Sequence, residues 1–315
     1  MTALLSPIVF VLIWSTGWVV AKTIAPHADP LTFLGVRYLG AIVLLLPFAL
    51  FAGAKWPAGR GRWLHALANG ALLHGLYLGG VWWAIAHGVP AGISALMAAL
   101  QPLLTAIAAG PLLGERLDAR RWTGIAMGML GVAAVVAPKL SAPGALGAVA
   151  LPIAVNVVAM VSVSAATLHQ KRALAGMDLR TLAIAQYLGA LVVTVPAVLL
   201  LENLRIEWTP ETLGALAWSV VGLSIFGIVL MLAMIQRGEV SRVAALIFLV
   251  PPIAAVQAFL LFDERLSPLQ IGGMALAAAG VLLVNARGLP ASAEGCIAAE
   301  PSEHEDRDQT LRRPA

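Results

Sequence analysis

The chain is poor in charge and nearly free of cysteine. Only 11% of its 315 residues are charged and 60% are hydrophobic, where a soluble domain carries roughly 25% charged residues. With a mean hydropathy of +0.89, it has too little polar surface to coat a water-soluble core. That excludes a soluble globular protein and requires an integral membrane one. The single cysteine, Cys296, excludes a disulfide framework and a cysteine metal site. No Gly-Lys-Thr/Ser phosphate loop is present, so hydrolysis of ATP by this chain is not expected. The first apolar segment lacks a basic leader region and a small-residue cleavage site, and is read as a retained helix. Also missing is the apolar–polar alternation of a transmembrane barrel. The runs are continuously apolar, so helices are the spanning elements.

The apolar runs predict ten spans, over 4–22, 31–52, 64–87, 92–113, 120–137, 149–171, 180–201, 212–236, 241–262 and 268–286. Each is near the roughly 20 residues that cross a bilayer core. Short connections between them carry Pro, Gly or charge. Residues 288–315 turn acidic and small, with Glu294, Glu300, Glu303, Glu305, Asp306 and Asp308; such a tail is expected to stay disordered. Lys55, Arg60, Arg62, Arg120, Arg121, Lys171, Arg172 and Arg180 fall in one set of alternate loops, and only Lys22, Lys139, Arg205 and Arg265 in the other. The positive-inside bias makes the first set cytoplasmic, so both termini are expected in the cytoplasm. The net charge of +4 follows from these loops and gives no reason to expect nucleic acid.

The chain also contains itself twice. Gly114-Glu115-Arg116-Leu117 is answered by Asp263-Glu264-Arg265-Leu266, and Gly124, Gly131, Val132 and Val135 by Gly273, Gly280, Val281 and Val284. The offset is constant at 149 (264 − 115, 280 − 131). Ser15, Lys22, Thr32, Tyr38, Leu39, Gly40, Ala41 and Pro47 match Ser164, Lys171, Thr181, Tyr187, Leu188, Gly189, Ala190 and Pro196 at the same offset. The fold expected is all-α: residues 1–140 form one five-helix unit, 141–287 a second, and 288–315 the tail. An odd helix number per unit makes the second copy enter from the opposite face. Such inverted repeats are the architecture of alternating-access carriers.

Trp14-Ser15-Thr16-Gly17-Trp18 with Lys22, the Gly-Glu-Arg-Leu after helix four and the glycine-spaced helix five resemble the EamA branch of the drug/metabolite transporter superfamily. The resemblance covers about residues 4–287. It implies ten helices with both ends cytoplasmic, a central cavity between the halves, and export of amino acids or related metabolites across a bacterial inner membrane. The second half departs from the pattern where Asp263 replaces glycine and Val163 stands opposite Trp14.

No Asp or Glu lies inside any predicted span. The small multidrug relatives place a Glu in the first helix, where this chain has Trp14 and Trp18. A carboxylate-gated antiporter of cationic drugs is therefore disfavoured. The best mid-membrane polar pair is His74 with Tyr77, spaced i, i+3, as a substrate hydrogen-bond pair with His74 a candidate proton carrier or a buried packing histidine. Ser94, Gln101 and Thr105 line one face of helix four, and Asn156, Ser164 and Thr167 a looser face of helix six. Either face could bind a zwitterion or serve as interhelical glue. Trp14 and Trp18 could form an aromatic wall. Trp82 and Trp83 read as an interfacial belt. Arg37 is expected to snorkel outward or make a structural bond, with capture of a substrate carboxylate as the alternative. Glu115-Arg116 and Glu264-Arg265 are read as caps on the next helix or as gate pairs.

The expectation is a bacterial inner-membrane exporter of small metabolites, most plainly amino acids or their derivatives, with no cofactor and no metal. Its partners are a small-molecule substrate and the lipid bilayer, and a homodimer is left open. The alternatives are export of drugs, nucleosides or sugar-like compounds, or a membrane-embedded enzyme or accessory protein. An enzyme would want paired carboxylates or a Cys/His/Asp set within the membrane, and the sequence offers neither.

Overall fold

The structure, a computed structural model, describes residues 2–113, 117–141, 145–227, 230 and 249–285. The first elements are α1 (Thr2–Ile24), α2 (Pro30–Phe51) and α3 (Gly59–Gly70), followed by a π-helical stretch Ala71–Leu78 that leads into α4 (Gly79–Ala86). Next come α5 (Ala91–Met97), α6 (Leu100–Leu113), α7 (Ala119–Leu140), α8 (Ala145–Ala173) and α9 (Leu179–Leu201). The last are α10 (Pro210–Ala217), a second π-helical stretch Trp218–Phe226, α11 (Val250–Phe262) and α12 (Pro268–Asn285). Among the described residues the only β pairing is an isolated bridge between Ala28 and Ile206. Among the described residues, five helical segments are long and apolar enough to cross a membrane, namely Pro30–Phe51, Ala91–Pro111, Ala119–Leu140, Gly147–Ala173 and Leu179–Leu201.

Proline sets several boundaries. Pro30, Pro210 and Pro268 open their helices, where the missing N–H has no partner to lose. Pro102 interrupts the expected span 92–113. It cannot donate to the Ala98 carbonyl, which instead accepts from Gln101 N–H at 3.1 Å, and the helix breaks between α5 and α6. The outer face carries large apolar side chains such as Val43, Phe51, Val192, Leu200 and Leu260. Ser15, Asn69, Ser94, Asn156 and Thr181 are fully buried. Apolar side chains outside and polar ones inside suit a molecule solvated by lipid.

Two helix pairs bring the sequence repeat into contact with itself. The start of α2 lies against the end of α9, where Thr32 Oγ1 donates to Glu202 at 2.8 Å. The end of α2 lies against the start of α9, where Thr181 Oγ1 donates to the Lys55 carbonyl at 2.8 Å. The helices therefore run antiparallel. The repeat-related Tyr38 and Tyr187 stack where they cross, 5.6 Å apart. The pair α7 and α12 behaves likewise. A Cβ on Gly124 would meet the Gly280 carbonyl oxygen at 2.7 Å, and one on Gly131 would meet that of Gly273 at 2.6 Å. Each glycine thus faces the copy of the other, in antiparallel order.

Gly131→Val is expected to destabilise the protein by about 1–3 kcal/mol, the typical result of forcing extra carbons into a packed interior. Gly272, one residue before Gly273 on α12, has open space around it, so Gly272→Ala should leave stability unchanged or raise it through helix propensity. Thermal unfolding of the two purified variants in one detergent checks this. Equal melting temperatures would contradict the backbone contact.

Candidate substrate site

The centre of the bundle is built where α2 and α9 cross beside the first π stretch. A π turn bonds i to i+5, and such turns cluster at functional sites. Here Gly79 N–H reaches the His74 carbonyl. The same carbonyl accepts the Tyr38 hydroxyl at 2.8 Å, and the Leu72 carbonyl accepts Ser162 Oγ at 2.9 Å. In the second π stretch Ser224 Oγ donates to the Ser219 carbonyl at 3.0 Å. Shifted by the 149-residue offset, the first stretch overlies the second.

His74 packs its ring 4.8 Å from Tyr187 and 6.0 Å from Tyr38. The residue as a whole is partly buried. Tyr77 is partly buried against the apolar core. The expected i, i+3 face shared by His74 and Tyr77 assumes an α-helix, and the wider π turn changes that geometry. The aromatic neighbours of His74 are Tyr38 and Tyr187 instead.

The helix-four and helix-six residues meet each other. Asn156 Nδ2 donates to Ser94 Oγ at 2.9 Å. Ser164 Oγ donates to the Gln101 carbonyl at 3.0 Å, and Gln101 Nε2 to Thr167 Oγ1 at 3.4 Å. These bonds join α5 and α6 to α8. Two polar atoms remain buried without a partner here, Asn156 Oδ1 and Thr105 Oγ1. On α1, Trp14 packs on Phe10 at 5.2 Å. Trp18 is buried in the core with its indole Nε1 unpartnered.

Of the two expectations for Arg37, snorkelling or a structural bond, the structure shows the bond. It is 7% exposed, with its guanidinium carbon 5.8 Å from the Trp82 ring centroid and Nη2 donating to Ser224 Oγ at 3.4 Å. Trp82 departs from the interfacial reading: it is 1% exposed and stacks on Phe33. Trp83, beside the exposed His87, is placed nearer a helix end.

Glu115 and Arg116 lie outside the described residues. Glu264 does cap a helix, but one distant in sequence: it accepts from Ala91 and Gly92 N–H at 3.0 and 2.9 Å, with Lys22 Nζ 3.9 Å away. The helix that follows it, α12, is capped by Ser267 and Gln270, each side chain accepting the other's backbone N–H. Arg265 pairs with Asp263 at 3.0 Å, which argues against a Glu264–Arg265 gate. Asp263 closes α11 in the left-handed region at φ 51°, a conformation that glycine holds most cheaply.

A polar network absent from the sequence reading joins α3, α8 and α9. Asn69 Nδ2 donates to the Ala166 carbonyl at 2.7 Å, and Gln186 Nε2 donates to Asn69 Oδ1 at 2.7 Å and to Gln170 Oε1 at 3.2 Å. His169 lies 3.4 Å from Asn69 and 3.1 Å from His65. The only sequence signal was Gln186 standing at the repeat position of Arg37. Near this end Asp178 accepts from Arg180, which holds its carboxyl down to about 2, so it stays ionised at physiological pH.

The model of the EamA-like transporter family matches residues 1–137 and 150–286. The chain belongs to the EamA-like transporter family. An uncharacterized transporter of Bacillus subtilis, YvbV, is 26% identical over 290 residues, covering 88% of this chain and 89% of its own. A probable amino-acid metabolite efflux pump of Escherichia coli K12 is 27% identical over 294 residues, covering 89% and 93%. One solved structure superposes with a TM-score of 0.60 over 90% of this chain and 96% of its own, at 19% identity, a likeness of fold. The family match runs through Tyr38, Tyr187 and both π stretches, so the central residues belong to the EamA-like portion.

Asn69→Leu should destabilise the protein by about 1–3 kcal/mol, because it strips the buried Gln186 amide of the shorter of its two acceptors. Adding Gln186→Leu should recover part of that loss, since replacing both partners by apolar groups can be nearly neutral. A double-mutant cycle on melting temperature measures the coupling. Strict additivity would show that the two side chains act separately.

Proposed function

We propose that this chain is a ten-span secondary transporter of the bacterial inner membrane, with two inverted five-helix halves and both termini cytoplasmic. It exports small metabolites, foremost amino acids or their derivatives, by alternating access. The observation that carries the reading is the meeting of repeat-related residues across antiparallel helices: Tyr38 on Tyr187, and the crossed glycines of α7 and α12. Two like halves facing opposite ways can exchange conformations, so that one open state mirrors the other. The name of the Escherichia coli relative supports the substrate class. The absence of carboxylates from the span interiors favours a facilitator, or an exchanger using His74, over a carboxylate-coupled antiporter.

Counterflow in proteoliposomes tests this. Vesicles loaded with one unlabelled amino acid and offered its labelled form should accumulate label transiently above equilibrium. His74→Ala or Trp14→Ala should reduce the signal. Failure across all twenty amino acids would move the substrate to drugs, nucleosides or sugar-like compounds. In a Cys296→Ser background, cysteines at Lys55 and Lys139 should label from opposite sides of the membrane; labelling from one side would overturn the topology.

A further inference from the structure

Among the described residues, Arg37 is the only charged side chain less than a tenth exposed. It lies seven residues into α2, about 10 Å along the helix from Pro30 at 1.5 Å per residue. A cation at that depth is costly and ordinarily pairs with an acid. The acids in reach of helix ends are otherwise employed. Glu202 caps α2, Glu264 caps α5, and Asp29 takes the N–H groups of Asn203 and Arg205.

Among the described residues, Arg37 has one neutral hydroxyl, Ser224 Oγ at 3.4 Å, and the face of Trp82. Ser224 sends its own proton to the Ser219 carbonyl, so its oxygen is oriented to accept. Trp82 also stacks on Phe33 at 5.6 Å. The guanidinium is thus held on one face and at one corner. Its Nε is buried with no partner. A guanidinium offers five N–H donors in a planar fork that matches a carboxylate bidentately. Among the described residues only Ser224 takes one of these donors.

The repeat-related position holds Gln186, whose neutral amide is already bonded to Asn69 and Gln170. The charge is therefore confined to one half, and the symmetry of the fold does not account for it.

We propose that Arg37 is the carboxylate anchor of the transport site, with Trp82 and Ser224 holding the guanidinium so that its open edge receives the carboxylate of a small organic acid or amino acid. This rests on the transporter reading. A carboxylate pairs with the buried charge and takes its remaining donors, so a bound organic acid leaves a neutral centre, while a bound zwitterion leaves only its own ammonium as net charge.

The test uses the full chain in nanodiscs and two matched probe pairs: phenylalanine against phenylalaninamide, and phenylacetate against phenylacetamide. Calorimetry should show each acid binding at least about tenfold tighter than its amide, the scale of a charged hydrogen bond. Arg37→Gln should abolish that preference, and Arg37→Lys should keep part of it. Ser224→Ala, which leaves the charge in place, should weaken acid binding several-fold with little effect on the amides, and guards against a misfolded glutamine variant. A wild-type protein that does not prefer acids, or an Arg37→Gln variant that loses acid and amide binding alike, would overturn the anchor. If phenylacetate binds through Arg37 while counterflow finds no amino acid carried, the anchor stands and the amino-acid reading falls. If counterflow succeeds without any preference for acids, the reverse holds.

Discussion

The acid-to-helix-end bond is the interaction on which the bundle depends. A carboxylate inside the hydrocarbon layer would be prohibitive, and the first N–H groups of a helix have no partner within it. This chain meets both problems with the same atoms. Glu202, at the end of α9, takes the N–H groups of Leu31 and Thr32. Glu264, past α11, takes those of Ala91 and Gly92. Asp29 and Asp178 return the favour across the sequence, binding the segments after α9 and after α2. Each bond ties one half of the chain to the other, and the dipole at a helix start strengthens those of Glu202 and Glu264.

With the ends fastened this way, the middle is free to differ between halves. Tyr38 and Tyr187 are alike and stack. One residue before each, the chain places Arg37 and Gln186. The glutamine closes into a satisfied amide network, while the arginine retains unused donors. A carrier needs both features: likeness, so that two open states have similar energy, and unlikeness, so that the site recognises something.

Much of the frame was legible in the sequence because it is periodic. Apolar runs and turn residues marked the helices, and the constant offset foretold which residues would be related. Glycines 124, 131, 273 and 280 were visible as a pattern, and their packing follows from it. The break before α6 was less visible, although Pro102 signalled it. The π stretches left only a weak trace in Gly70, Gly75 and Gly79, because a one-residue widening barely alters composition. The burial of Arg37 and Trp82 is not legible in the sequence for a common reason: depth along a helix can be read, but the face turned inward cannot. The Asn69–Gln186 network was missed because its members are single polar residues on three helices, and no local rule joins them.

The seam between α7 and α12 has a mechanical consequence. Where backbone rests on backbone there are no rotamers to change and no flexible side chains to cushion a shift. Such a joint is stiff. It braces one half of the chain against the other and leaves little room to slide.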